Sequence, residues 1–162
     1  MESEIKLEEK LHEIFTLKNI SLGLAESCTG GAIAARLTQV SGASDYFLGS
    51  MVCYTTPIKI KLLQVSPENI HKYEVVSHEI ACEMAEKTLA LFETDYALSV
   101  TGYMGPTGGT PASPIGTVYI GIAEKNGNTR AHYRHFSGDR ISNINQVVDK
   151  AIELLLLRIN ET

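Results

Sequence analysis

Apolar and polar positions follow two periods along this chain. Leu7, Leu11, Ile14 and Phe15 recur at helical spacing with charges between them, so Glu4 to Lys18 is predicted as an amphipathic helix. Ile20 to Ala25 is a short apolar run and is predicted as a strand. Ala32 to Val40 returns to helical spacing through Ile33, Arg36 and Leu37, and Ser41 to Ser44 is a turn cluster. Phe47 to Tyr54 is predicted as a buried strand, through Phe47, Leu48, Met51, Val52 and Cys53. Pro57 opens a helical stretch to Leu63, because proline tolerates a first turn, and Ser66-Pro67-Glu68 starts another short helix.

Ser77 is placed to cap a longer helix to about Phe92, with Ile80, Met84, Thr88 and Leu91 on one face. Tyr96 to Val100 is an apolar strand that runs into a loop dense in glycine and threonine, Thr101 to Thr110. Ile115 to Ala123 and Asn128 to Phe136 are predicted as paired strands, joined at Lys125-Asn126-Gly127. Asp139 caps a final helix to about Ile159, with Ile144, Val147, Val148, Ile152, Leu155 and Leu156 facing inward. Alternating helices and strands followed by a hairpin predict an α/β fold: a three-layer α/β/α sandwich with a mixed, mostly parallel sheet. No repeat, biased segment or long linker divides the chain, so one domain over residues 1–162 is expected.

Composition narrows the function classes. The 162 residues are 44% hydrophobic and 20% charged, which suits a folded globular protein. A net charge of -5 gives no general attraction to nucleic acid. No apolar run approaches the roughly 20 residues of a membrane span, so no membrane partner is expected. The N-terminal stretch lacks a basic segment followed by an apolar one, so it does not read as a signal peptide. Cys28, Cys53 and Cys82 are odd in number and widely spaced. Neither a disulfide framework nor a zinc site is expected, and a reducing cytoplasm is the expected compartment.

In open α/β sheets, ligands bind beyond the carboxyl ends of the parallel strands. Ser27, Tyr54 and Thr101 each fall at or just past such an end, so three strand ends are expected to meet in one crevice. Glu26-Ser27-Cys28-Thr29-Gly30-Gly31 turns from strand to helix, where unpaired N–H groups and the helix dipole suit an anion or an oxyanion. The same residue types also serve as a plain helix cap. Ser27 is the candidate nucleophile, and no Gly-x-Ser-x-Gly elbow surrounds it. Lys59 or Lys61 is a candidate base if burial lowers its pKa; two apart on a helix, only one can face the crevice. The competing reading makes both solvated surface lysines.

Glu26 is a candidate ligand contact or acid/base group, or a residue that orients the loop. Gly102, Gly105, Gly108, Gly109 and Thr110 offer a backbone cradle for phosphate or a plain surface connection. Arg140 suits phosphate or carboxylate, or is a solvated first-turn charge. His132 and His135 are three apart on a predicted strand and face opposite ways, so no metal ligation is assigned.

Several motifs occur together and in order. They are Ala25-Glu26-Ser27-Cys28-Thr29-Gly30-Gly31, Gly49 with Val52 and Tyr54, Lys59, Val76-Ser77, Met84-Ala85 and Asp95-Tyr96-Ala97. Thr101-Gly102, Gly105-Pro106, Gly108-Gly109-Thr110, Pro114-Ile115-Gly116-Thr117-Val118 and Gly138-Asp139-Arg140 follow. In these the chain resembles the C-terminal domain of the competence/damage-inducible protein CinA, the nicotinamide-nucleotide amidase family. The resemblance runs from about Leu7 to the last helix, and the length implies that the N-terminal domain of two-domain relatives is not included.

The resemblance implies hydrolysis of nicotinamide mononucleotide (NMN) to nicotinic acid mononucleotide and ammonia, in pyridine nucleotide salvage, with no metal or cofactor. It implies Ser27 as nucleophile, Lys59 as base and Tyr54 in the proton network. It places Glu26, Thr29, Gly30, Gly31, Thr101, Gly102, Gly105, Gly108, Gly109, Thr110 and Arg140 around the substrate, and it suggests a homodimer. Three departures stand out: Thr56 where the family commonly has asparagine, Glu74-Val75 where it has Gly-Ala, and Ile144 or its neighbours in place of an arginine. Ser27, Tyr54 and Lys59 favour an enzyme, whereas Thr56 and Ile144 favour a catalytically silent domain that binds a nucleotide or partner.

Overall fold

The computed structural model describes residues 4–161. Its helices are α1 (Leu7–Lys18), α2 (Ala32–Leu37), α3 (Thr56–Lys61), α4 (Pro67–Tyr73), α5 (His78–Phe92) and α6 (Arg140–Asn160). Its strands are β1 (Leu22–Glu26), β2 (Phe47–Val52), β3 (Tyr96–Gly102), β4 (Thr117–Glu124) and β5 (Thr129–His135). They form a five-stranded sheet in the order β2-β1-β3-β4-β5. β1 runs parallel to β2 and β3, with Leu24 opposite both Ser50 and Leu98. β4 runs antiparallel to β3 and to β5, so it alone runs against the direction of the other four strands.

The two faces of the sheet differ in side-chain size, and this sets the layers. Leu22, Leu24, Leu98, Val100, Ile120 and Ile122 point to one face and form the larger core with Leu11 and Phe15 of α1, Ile33 of α2, and Val148 and Ile152 of α6. The opposite face carries Ala25, Ala97, Ser99, Gly121 and Ala123, and α5 lies against it through Ile80, Met84 and Ala85. Small residues let α5 come close: a Cβ on Gly121 would stand 2.3 Å from the Ala81 carbonyl oxygen. Ser99 Oγ donates to that same oxygen at 2.6 Å. The expected three-layer architecture is therefore the one observed.

Caps read from the sequence are present. Ser66, Ser77 and Asp139 accept hydrogen bonds from the N–H groups of Asn69, Ile80 and Ser142. Three expectations are corrected. The first helix starts at Leu7 rather than Glu4. The strand expected to be buried, Phe47 to Tyr54, is instead an edge strand that ends at Val52, with Leu48 and Val52 54% and 45% exposed. Its apolar run signalled burial, but with one neighbouring strand and little helix cover it lies at the rim. Leu91 is 52% exposed and faces solvent rather than the core, while the next residue, Phe92, is the one that packs over Gly23 of β1 and Gly49 of β2.

Candidate active site

β1, β2 and β3 are parallel, so their carboxyl ends open on the same side of the sheet. Ser27 follows β1, Tyr54 follows β2, and Thr101 ends β3 with Gly102. Backbone hydrogen bonds fix these segments together: Ser27 N–H donates to the Val100 carbonyl at 3.2 Å, and Cys53 N–H to the Glu26 carbonyl at 2.9 Å. The ends enclose a cavity of about 310 Å³, at the lower limit for a small-molecule site.

The cavity holds a serine and a lysine in contact. Lys59 Nζ lies 2.8 Å from Ser27 Oγ. The Tyr54 carbonyl oxygen accepts from Lys59 Nζ at 3.3 Å and from Ser27 Oγ at 3.4 Å. Lys59 is 2% exposed, whereas Lys61 is exposed, so α3 turns Lys59 inward as the spacing of two requires. No carboxylate pairs with Lys59 among the described residues. Burial therefore pushes its pKa down from the ordinary lysine value. Cys28 is the neighbouring thiol. Burial pushes it up to about 12, so it stays protonated and is a poor nucleophile beside Ser27.

Arg140 closes one side of the cavity. It donates to the Gly105 carbonyl through Nη1 at 2.8 Å and to the Tyr54 hydroxyl through Nη2 at 2.8 Å. Thr101 Oγ1 donates to the Val75 carbonyl at 3.1 Å and holds the wall formed by Val75 and Val76. Ser27, Tyr54, Lys59, Thr101, Gly102 and Arg140 thus line one pocket.

The other residues expected around a substrate do not line this pocket. Glu26 is 1% exposed and points away from the cavity. Its carboxylate accepts from Thr29 Oγ1 at 2.8 Å, Ile33 N at 2.8 Å, Ala34 N at 3.2 Å and Ser50 Oγ at 2.9 Å. It satisfies the start of α2, the one alternative that orients the turn. Thr29 is thereby committed to Glu26, and Gly30 and Gly31 make the turn itself; Gly31 precedes α2 at φ 101°. Gly105 offers its carbonyl to Arg140 but lines a neighbouring cleft. Gly108, Gly109 and Thr110 do not reach the pocket. Thr110 instead closes its own turn, donating N–H to the Ser113 carbonyl and accepting from Ser113 N–H.

The departures from the family pattern now have positions. Thr56 lines the pocket. Ile144 is packed against the main core, so it presents no cation. Glu74 adopts φ 69°, ψ 156°, a conformation reached almost only by glycine, in the loop just before Val75. Sequence reasoning missed Val75, Val76, Tyr103, Met104 and Thr107 as lining residues. The last three sit inside the Gly- and Thr-rich loop, which was a usable signal; for the two valines the only signal was the family motif around Val76-Ser77. Asn143 was also missed. Fully buried, it donates Nδ2–H to the Met104 carbonyl at 3.0 Å and accepts from Gly138 N–H at 3.0 Å, which ties α6 to the loop.

The family profile of the CinA C-terminal domain matches residues 4–159. The chain belongs to the CinA C-terminal domain family. It is 45% identical over 139 residues to a CinA-like protein of Dictyoglomus thermophilum, covering 86% of this chain and 34% of that protein. It is 46% identical over 135 residues to a CinA-like protein of Endomicrobium trichonymphae, covering 83% and 31%. The chain thus spans about a third of the length of these curated relatives. Among solved structures it is similar to the competence damage-inducible protein A of Klebsiella pneumoniae, with TM-score 0.91, 30% identity and 95% of each chain covered. The competence/damage inducible protein CihA of Agrobacterium tumefaciens gives TM-score 0.90 and 31% identity over 97% of this chain and 98% of that one. The CinA-type chain keeps this fold with a mixed sheet, and no described helix is long and apolar enough to cross a membrane.

Proposed function

We propose that this CinA-type domain hydrolyses the carboxamide of NMN to nicotinic acid mononucleotide and ammonia, with Ser27 as nucleophile and Lys59 as base. The observation that carries the reading is the buried 2.8 Å contact between Lys59 Nζ and Ser27 Oγ, in a pocket whose lining holds no carboxylate. Burial lowers the Lys59 pKa, and in its neutral form the amine takes the serine proton.

The neutral amine keeps one N–H on the Tyr54 carbonyl and turns its lone pair to the Ser27 hydroxyl. Oγ attacks the amide carbon, its proton passes to Nζ, and a tetrahedral oxyanion forms. The Cys28 N–H donates to no backbone carbonyl among the described residues and is assigned to that oxyanion. The ammonium then returns its proton to the amide nitrogen, the C–N bond breaks, ammonia leaves, and an ester on Ser27 remains. Water attacks the ester while Nζ takes its proton; the C–Oγ bond breaks and Oγ is reprotonated from Nζ. The balance is carboxamide plus water to acid plus ammonia. Arg140 holds the phosphate by charge-assisted hydrogen bonds.

Ammonia release from NMN tests this, with other amides compared in the same assay. Ser27→Ala and Lys59→Ala are each expected to lower kcat about a thousandfold or more. Normal turnover by either variant removes the role assigned to that residue. Nucleotide binding by the wild type without ammonia release establishes the silent binding domain instead.

A further inference from the structure

A second cleft, of about 420 Å³, adjoins the catalytic pocket. Met104 and Arg140 line both. The Arg140 guanidinium spans the partition, with Nη2 on Tyr54 of the first pocket and Nη1 on Gly105 of the second. The second cleft is walled by Pro106, Ile115 and Ile141. Its one carboxylate, Asp139, is committed to the Ser142 N–H at the start of α6, at 2.8 Å.

Ile115 is held in place rather than left loose. A Cβ on Gly105 would meet Ile115 Cγ2 at 2.7 Å, and a Cβ on Gly109 would meet its backbone nitrogen at 2.8 Å. His135 Nε2 lies 3.0 Å from the Ile115 carbonyl oxygen. The glycine-rich loop is therefore wrapped around this apolar wall. Two of its glycines, Gly105 and Gly109, which the sequence suggested as part of a phosphate cradle, pack against Ile115 of the second cleft.

We propose that this cleft is a second ligand subsite, which takes the flat, uncharged base of a nucleoside joined through phosphate to the group in the catalytic pocket. The inference rests on the reading of Arg140 as the phosphate anchor. NMN ends at its phosphate, and the cleft begins on the far side of that anchor. A guanidinium whose described partners are neutral suits a phosphate bridge. An apolar wall beyond it suits an aromatic ring and rejects a second anion. The ligand class is a pyridine dinucleotide lying across both cavities.

Calorimetry on the full-length Ser27→Ala variant, which holds ligand without turnover, tests this with NMN and with nicotinamide adenine dinucleotide (NAD) at fixed ionic strength. NAD is expected to bind about tenfold more tightly than NMN, from the added apolar contact. Adding Ile141→Ser, at a side chain 72% exposed, is expected to bring NAD down to the affinity of NMN. NAD binding no tighter than NMN, or Ile141→Ser weakening both alike, overturns the proposal. So does Ile141→Ser converting a dimer to a monomer in sedimentation while the NAD advantage persists; the cleft is then a contact between copies. Failure of NMN itself to bind is a separate result: it removes the substrate proposed above, and this subsite with it.

Discussion

The Arg140 guanidinium reaches across the fold from the first turn of α6 to the Tyr54 hydroxyl, 86 residues away in the chain. Tyr54 is thereby used twice: its hydroxyl accepts from the arginine, and its carbonyl accepts from the lysine and serine. The two uses are separable by mutation. Tyr54→Phe deletes the first and keeps the second, so kcat for NMN is expected to stay within about threefold, since a backbone carbonyl is indifferent to the side chain. Arg140→Ala removes the phosphate anchor and is expected to raise KM about tenfold or more with a smaller change in kcat. Steady-state kinetics on NMN separates the two, and an unchanged KM for Arg140→Ala removes the anchor role.

Lys59 links activity and stability to pH. Burial lowers its pKa in the native state, while the unfolded chain has the ordinary lysine value. Between those two values the unfolded state binds more protons, so stability climbs with pH across that window and is lowest below the native pKa. Lys59→Met loses this climb. It is also expected to gain about 1 kcal/mol, or about 2–4 °C in Tm, because a buried charge-bearing group gives way to an apolar one of similar volume. Denaturation midpoints of both proteins over the alkaline range check this, and parallel profiles refute it. In the wild type kcat/KM is expected to rise as pH climbs through the native Lys59 pKa.

Glu26 is predicted to be a stability residue. Replacing it by alanine leaves two helix N–H groups and two hydroxyls without their acceptor in a closed site. A loss of about 3 kcal/mol is expected, read as a fall in the urea midpoint. Glu26→Gln keeps one oxygen and is expected to lose less than half as much. Equal losses for the two variants contradict the account.

Glu74 pays for its place in the loop with backbone strain. Glu74→Gly is expected to stabilise the protein by about 1 kcal/mol, the relief of that strain less the entropy of a glycine. Chemical denaturation measures it. A destabilised Glu74→Gly variant shows instead that the carboxylate contributes more than the conformation costs.

The helices and most strands were legible because each carries a local signal: spacing for α1 and α6, side-chain caps at Ser66, Ser77 and Asp139, and an Asn-Gly turn between β4 and β5. The place of Phe47 to Val52 at the edge was not, because an apolar run reports side-chain type and not the number of neighbouring strands. In the site, Ser27, Tyr54 and Thr101 were findable as strand ends. Glu26 and the glycines after it were read as ligand-facing because a carboxylate near an N-terminal turn looks the same whether it serves the turn or a ligand. Only its four hydrogen bonds distinguish the two.

Sequence alone determined the α/β order, the layers and the residue types available for acid–base work, since these follow from periodicity and from side-chain chemistry. Tertiary structure decided which of two lysines is dry, which carboxylate is spent on a helix, and which loop glycines face a wall instead of a pocket. The physical reason is that pKa, solvation and hydrogen-bond partners depend on groups brought together from distant positions, 32 residues apart for Lys59 and Ser27, and no local pattern encodes that meeting.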